Sequence, residues 1–127
     1  MIDHLSIVVS DYPRSRAWYQ QVLATLGYEL KSDTAQGPAL VAGFGPVQQP
    51  YGVLYLVSAG PGRGVCQARP QFCFCAPERT VVDAFHAAAL QAGGRDSGAP
   101  GWREAQAHYA AFAQDPDGYS VEVACYR

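Results

Sequence analysis

Positive charge is scarce in this sequence of 127 residues. The chain has a single lysine, Lys31, its arginines are scattered, and its formal net charge is −2. Proteins that bind nucleic acid or anionic membranes usually concentrate basic residues on one stripe or face. We therefore expect neither a nucleic-acid partner nor a membrane partner.

Long apolar runs are also missing. No apolar run approaches the roughly 18–20 residues that a membrane-spanning helix needs, and the start "MIDHLSIVV" lacks the charged region and cleavage site of a secretory signal. The composition, 49% apolar and 16% charged, is typical of a compact globular chain. We expect a cytoplasmic protein with one small domain, residues 1–127.

Cysteine motifs that bind zinc or carry redox chemistry are absent. None of the four cysteines forms a C-x-x-C pair, so the zinc-ribbon and thioredoxin interpretations are disfavoured. Cys73 and Cys75 stand two residues apart, on one face of a predicted strand. We interpret them as reduced thiols that line a core or cavity wall, and a redox or metal role stays open as an alternative.

Alternating and helical patterns are present in the first half of the chain. The segment "HLSIVVSD" alternates and is rich in β-branched residues, which predicts a strand over residues 3–9. Asp11 can cap the helix that follows, and Gly27 ends it. Residues 39–45 and 51–57 are predicted to form two further strands.

The same order of elements restarts in the second half. "QFCFCA" is predicted as a strand, Pro77 and Glu78 open a second helix, and "RDSGAPGWREAQAH" at 95–108 is interpreted as a polar loop. "YAAFAQ" and "YSVEVACYR" follow as strands, joined by the turn "DPDG".

Internal offsets support a duplication. An offset of 67 places His4 on Gln71, and an offset of 68 places "YGVL" at 51–54 on "YSVE" at 119–122. Self-similarity of this kind predicts two related modules, residues 1–60 and 70–127. Two unrelated α/β halves are the alternative.

The strand period of two predicts which side chains share a face. In the first strand His4 and Ser6 lie opposite the apolar Leu5, Ile7 and Val9, which we expect to pack under the helix. In the other module Gln71 and Cys73 share a face of one strand, and Glu122 lies opposite Val121 and Val123 on the last. A buried carboxylate needs a partner, so we expect Glu122 to face a pocket with His4 and Gln71.

These segments resemble the vicinal oxygen chelate superfamily, which comprises glyoxalase I, bleomycin-resistance proteins, extradiol dioxygenases and fosfomycin-resistance enzymes. The resemblance rests on "DHLSIVVSD" with its helix, on "VVDAFHAAALQAGG" and on "YAAFAQDPDGYSVEV", and it covers nearly the full chain. It implies an α+β fold in which two βαβββ modules form a cupped, barrel-like mixed sheet around a metal or a small ligand.

The resemblance also implies four ligand positions, which here are His4, Leu54, Gln71 and Glu122. Leu54 cannot coordinate a metal, and Gln71 stands where many members have histidine, so the iron site of the dioxygenases and the paired carboxylates of glyoxalase I are both incomplete. A reduced set of His4, Gln71 and Glu122, with Glu122 as the catalytic group, would suit zinc, nickel, cobalt or manganese as a Lewis acid. The alternative is structural: a strand histidine, and a carboxylate hydrogen-bonded to His4 or Arg103.

Two other segments are candidates for contact with a ligand. Trp102, Arg103, His108 and Tyr109 are predicted to cover the cavity mouth, where an aromatic and an arginine suit a planar or anionic ligand; an ordinary surface loop is the alternative. "GPGRG" at 60–64 is similar to a phosphate loop, but no helix follows it, so we interpret it as a connector.

Two functions follow from the sequence. The first is a glyoxalase-like, metal-assisted lyase or isomerase that acts on a small oxygenated substrate. The second is a metal-free protein that sequesters a small amphipathic ligand, as bleomycin-resistance proteins do. A homodimer is expected in either case, because "SIVVS" carries no Lys or Pro to protect a free strand edge.

Overall fold

The computed structural model describes all residues, 1–127, and divides into two compact units, Met1–Ala68 and Arg69–Arg127. Each unit has the order strand, helix and three strands. The first unit contains β1 (Leu5–Val9), α1 (Tyr12–Ala24), β2 (Tyr28–Gln36), β3 (Ala39–Pro46) and β4 (Leu54–Ser58). The second contains β5 (Gln71–Cys75), α2 (Arg79–Gln91), β6 (Arg95–Arg103), β7 (His108–Gln114) and β8 (Ser120–Cys125). The predicted pair of βαβββ modules is confirmed.

The strands of each unit form one mixed four-stranded sheet. The strand orders are β1-β4-β3-β2 and β5-β8-β7-β6. The pairs β1–β4 and β5–β8 are parallel, whereas the other neighbours are antiparallel. Neither sheet closes on itself into a barrel. No helix is both long and apolar enough to cross a membrane.

The first helix begins where its capping residue predicts. Asp11 lies in the extended region and its Oδ1 accepts a hydrogen bond from the Arg14 backbone N–H at 3.2 Å, with Pro13 in the first turn. After the helix Gly27 adopts a φ of 73°, a left-handed conformation that glycine reaches without strain. The helix buries one face against its sheet, where Ile7 and Val9 are also buried, as the alternation of β1 predicts. Leu5, at the start of the strand, is instead 39% exposed.

The prediction of a polar loop over residues 95–108 is wrong for most of that segment. Residues Arg95–Arg103 form strand β6, which pairs with β7. Its Gly and Pro content suggested a loop, but β6 is an edge strand, where Pro100 is tolerated because one side of the strand is unpaired. The pairing is irregular around Gly98, and a Cβ at that position would lie 2.7 Å from the Phe112 ring. The sequence pattern assigned no strand to residues 28–36, which form the nine-residue strand β2.

A carboxylate on the strand that follows each helix connects that strand to the helix. In the first unit the Tyr12 hydroxyl of α1 donates a hydrogen bond to Asp33 of β2. The Asp33 carboxylate also forms an ion pair with Arg16, at a distance of 2.8 Å. Burial and this hydrogen bond raise the pKa of Tyr12. In the second unit the His86 Nε2 of α2 lies 2.9 Å from Asp96 Oδ1 of β6. His86 therefore joins α2 to β6 through a structural contact.

We predict that Tyr12→Phe lowers the free energy of unfolding by about 1 kcal/mol, because it removes one partly buried hydrogen bond to a charged group. Urea unfolding followed by circular dichroism measures the change. Tyr51→Phe is the matched control, since Tyr51 is 54% exposed and this variant should unfold like the parent. Equal stability of all three proteins would show that the Tyr12–Asp33 bond contributes nothing.

Candidate functional site

The open face of the second sheet presents Glu122. The register places Glu122 of β8 opposite Cys73 of β5 on one side and Phe112 of β7 on the other. Val121 and Val123 point to the opposite face and are fully buried. Glu122 itself is only 7% exposed. A carboxylate at this depth needs polar partners, because water reaches it poorly.

Two side chains of the same unit contact the two carboxylate oxygens of Glu122. The Gln71 amide Nε2 donates to Oε2 at 2.8 Å, and the His108 Nε2 lies 3.2 Å from Oε1. His108 is also buried, and its ring meets the Tyr126 ring edge to face at 5.1 Å. Neither nitrogen of the His108 ring makes a well-aligned hydrogen bond, so its contact with Glu122 is a close approach and not a hydrogen bond.

Arg103 is not a partner of Glu122, contrary to one of the structural alternatives. Its Nη2 donates to the carbonyl oxygens of Ala99 and Ala110, and its guanidinium stacks over the Phe112 ring at 5.4 Å. Through these contacts the Arg103 side chain links β6 to β7. Of the predicted site residues in the second unit, the structure therefore brings together Gln71, Cys73, His108 and Glu122.

The four residues predicted to cover a cavity mouth are divided between two faces. Trp102 pairs with Tyr109, and Arg103 pairs with His108, so the two pairs point in opposite directions. Trp102 and Tyr109 lie toward α2, where both rings contact the Arg79 guanidinium at 5.4 and 5.3 Å, and the Tyr109 hydroxyl donates to Asp83. The four residues belong to two paired strands and not to a single loop, and their predicted covering of a cavity mouth stays a prediction.

Cys73 is the thiol closest in register to the Glu122 carboxylate. Desolvation, followed by the negative charge of Glu122, raises the pKa of Cys73 to about 12. All four cysteines are free, and Cys66, Cys73 and Cys75 are exposed while Cys125 is buried. At neutral pH the Cys73 thiol is therefore protonated and a poor nucleophile.

The open face of the first sheet forms a pocket of about 430 Å³. Two of the predicted residues, His4 and Ser6, line it. The His4 Nδ1 contacts Asp3 Oδ1 at 2.7 Å, and its ring meets the Tyr55 ring edge to face at 5.5 Å. The other lining residues are Gln36, Ala39, Val41, Tyr55, Val57 and Arg63. Gln36 was not among the predicted residues, because the sequence pattern assigned no strand to residues 28–36.

Tyr55, and not Leu54, occupies the position that corresponds to Glu122. Ser6 pairs with Tyr55 in the first unit, and Cys73 pairs with Glu122 in the second, at the same distance along the strand from His4 and Gln71. Leu54 points toward the helix and is 1% exposed. The predicted equivalence of Leu54 and Glu122 is therefore wrong by one residue, and a slip of one residue reverses the face of a strand side chain.

The Tyr55 ring lies against two glycines. A Cβ at Gly43 would be 2.7 Å from the ring, and a Cβ at Gly52 would be 3.0 Å from its Cζ atom. Only hydrogen atoms at these two positions leave room for the ring as it stands. The glycines therefore fix how Tyr55 borders the pocket.

The residues within each unit do not fit a divalent metal. Neither unit contains a group of three or more His, Cys, Asp or Glu side chains that could hold one. In the second unit both oxygens of Glu122 are already engaged by Gln71 and His108, and the amide atom turned toward Glu122 is the nitrogen, which cannot coordinate a cation. The predicted ligand role of His4, Gln71 and Glu122 stays a prediction.

We predict that Glu122→Gln accelerates alkylation of Cys73 by iodoacetamide at pH 8. With a pKa of about 12, roughly one thiol in ten thousand is ionised at that pH, and removing the nearby negative charge lowers the pKa and raises the thiolate fraction. Peptide mass spectrometry measures each cysteine separately. Alkylation of Cys66, which lies in the other unit, serves as the internal reference and should not change. An unchanged Cys73 rate would show that Glu122 does not control this thiol.

Comparison with known proteins agrees with this fold. The family model described as "Glyoxalase/Bleomycin resistance protein/Dioxygenase superfamily" matches residues 1–123. A search of curated protein sequences finds no match. Among solved structures, a glyoxalase/bleomycin resistance protein from Albidiferax ferrireducens T118 is similar, with 25% identity, a TM-score of 0.77 and coverage of 97% of both chains.

Two more distant structures show likeness of fold alone. A glyoxylase/bleomycin resistance protein/dioxygenase domain from Frankia sp. EAN1pec has 17% identity and a TM-score of 0.76, with coverage of 100% of this chain and 98% of that one. A glyoxalase I mutant from Zea mays has 21% identity and a TM-score of 0.76, with coverage of 97% of this chain and 46% of that one. The family match spans nearly the whole chain, so this protein belongs to the glyoxalase/bleomycin resistance protein/dioxygenase superfamily.

Proposed function

We propose that this protein binds a small, partly apolar molecule in the pocket of the first unit and that it does so without a metal. The observation that carries the proposal is the pocket itself, about 430 Å³ in volume, with an apolar floor and several hydrogen-bonding side chains. Pockets that bind small molecules have this size and combine apolar walls with a few polar groups. Sequestration of a ligand needs no further chemistry.

The environment of Glu122 supports binding over metal-assisted catalysis. The carboxylate is held by Gln71 and His108 of its own sheet, and Tyr55 stands at the corresponding position of the first unit. A phenol is a far weaker ligand for zinc, nickel, cobalt or manganese than the carboxylate that glyoxalase-type chemistry uses. Glu122 and Gln71 are proposed to stabilise the second sheet, and Cys73, Trp102, Arg103, His108 and Tyr109 are not needed for the ligand.

A metal-dependent lyase or isomerase is the second candidate. It is favoured by one observation, the burial of Glu122 on an open sheet face, where a carboxyl group is a candidate general acid or base. In that case Glu122 would move a proton of the substrate. The two candidates differ in whether Glu122 is needed for binding.

We predict that Ser6→Phe abolishes binding of benzamide, used as a neutral aromatic probe, whereas Glu122→Gln binds it as the parent does. Ser6 is an exposed residue that lines the pocket, so a phenyl ring there fills the space without entering the core. Ligand-observed NMR on chelator-treated protein measures the affinity. The same samples are then heated with zinc, nickel, cobalt or manganese chloride, and their melting temperature should not rise.

The opposite results would favour the metal-dependent candidate. A metal that raises the melting temperature of the parent but not of Glu122→Gln would identify Glu122 as a ligand. Loss of benzamide binding in Glu122→Gln, with Ser6→Phe unaffected, would move the binding site away from the first unit. Either result contradicts metal-free binding in the pocket described above.

The protein is also proposed to be a homodimer. Strand β1 is an edge of its sheet, and its residues "LSIVV" include neither a charge nor a proline that would discourage pairing with another strand. We predict that sedimentation equilibrium at micromolar concentration gives twice the chain mass of 13.6 kDa. A mass that stays near 13.6 kDa would rule out the dimer.

A further inference from the structure

The polar side chains that line the pocket of the first unit are unbalanced in charge. They are His4, Ser6, Gln36, Tyr55 and Arg63, and all of them can donate hydrogen bonds. No aspartate or glutamate lines the pocket, and Arg63 forms no ion pair. Asp3 contacts His4 but is not a lining residue. The lining therefore carries one permanent positive charge without a matching negative one.

The connector at 60–63 holds Arg63 in place. Gly60 and Arg63 exchange two backbone hydrogen bonds, at 2.9 and 2.8 Å, which close a tight turn. The Arg63 Nε then donates to the Ser58 carbonyl at the end of β4, at 3.3 Å. The guanidinium packs directly over Gly60, where a Cβ would lie 2.5 Å from Nη2. Backbone and glycine together fix a side chain that would otherwise be mobile.

We propose that Arg63 makes this pocket selective for ligands that carry an oxyanion, such as a carboxylate or a phosphoryl group, on an apolar body. The guanidinium presents several N–H groups in a planar fork that fits two oxygens of such a group. Ala39, Val41 and Val57 supply the apolar surface for the rest of the ligand. The segment "GPGRG" thus contributes to binding as well as connecting two strands. It binds the anion through the Arg63 side chain, whereas a phosphate loop uses the backbone N–H groups at the start of a helix. This inference rests on the proposed function, because it assigns a ligand class to the same pocket.

The test compares charged and neutral probes of the same shape. Benzoate and phenylphosphonate carry the two kinds of oxyanion, and benzamide is their uncharged counterpart. Ligand-observed NMR should show that both anions bind the parent protein about tenfold or more tightly than benzamide. Their advantage should shrink as the salt concentration rises, because the interaction is partly one of charge.

Variants assign the effect to Arg63. Arg63→Gln should remove the advantage of the anions over benzamide. Gly60→Ala keeps the arginine but displaces its guanidinium, and because Gly60 is not in the left-handed region the backbone tolerates alanine, so a smaller loss is expected. Arg14→Gln makes the same change of charge on the exposed side of α1 and should behave like the parent. Melting curves confirm that each variant is folded.

Each outcome bears on a different statement. If benzoate, phenylphosphonate and benzamide bind the parent equally, or if Arg63→Gln keeps the preference for anions, the assignment of Arg63 is overturned while the pocket stands. If none of the three probes binds at millimolar concentration, the pocket itself is rejected, and the proposed function fails with the inference. A preference for one anion over the other identifies whether a carboxylate or a phosphoryl group fits better.

Discussion

The alternation of side chains along strands that are covered on one face governs both sheets. In each unit the helix covers one face, so every second strand residue must be apolar, and the residues between them are free of that requirement. Ile7 and Val9 in the first unit, and Val121 and Val123 in the second, satisfy it. Most polar side chains of the sheets consequently lie on the other face. Asp33 and Asp96, on the edge strands, are exceptions that contact their helices. His4, Ser6, Gln71 and Glu122 are there because the covered face excludes them.

The same alternation explains how much of the fold could be predicted from sequence. The two modules, the Asp11 cap and the face of Glu122 all follow from local patterns of period two or from capping chemistry. The equivalence of Leu54 and Glu122 failed because an offset between two strands is fixed by hydrogen-bond register, and single-sequence similarity does not record register. "YGVL" and "YSVE" match in letters, yet the structure pairs Tyr55, and not Leu54, with the strand that starts the module.

One of the two partners of Glu122, His108, was missed for a different reason. Its contact depends on β6 and β7 forming a ladder, because that ladder directs His108 to the open face and Tyr109 to the helix. A segment rich in Gly, Pro and polar residues shows no strand period, so its edge pairing is decided by long-range contacts with β7. Strand alternation thus placed Gln71 on the face of Glu122, but the contact with His108 belongs to tertiary structure.

Two glycines under the Tyr55 ring have a consequence for how this pocket could change over time. Gly43 and Gly52 lie against the ring, and neither one lines the pocket. A methyl group gained at either position would displace the phenol that borders the pocket and so change the space that a ligand can occupy. The breadth of accepted ligands can therefore drift through residues that never touch them, which gives natural variation a route to new selectivity that leaves every binding side chain in place.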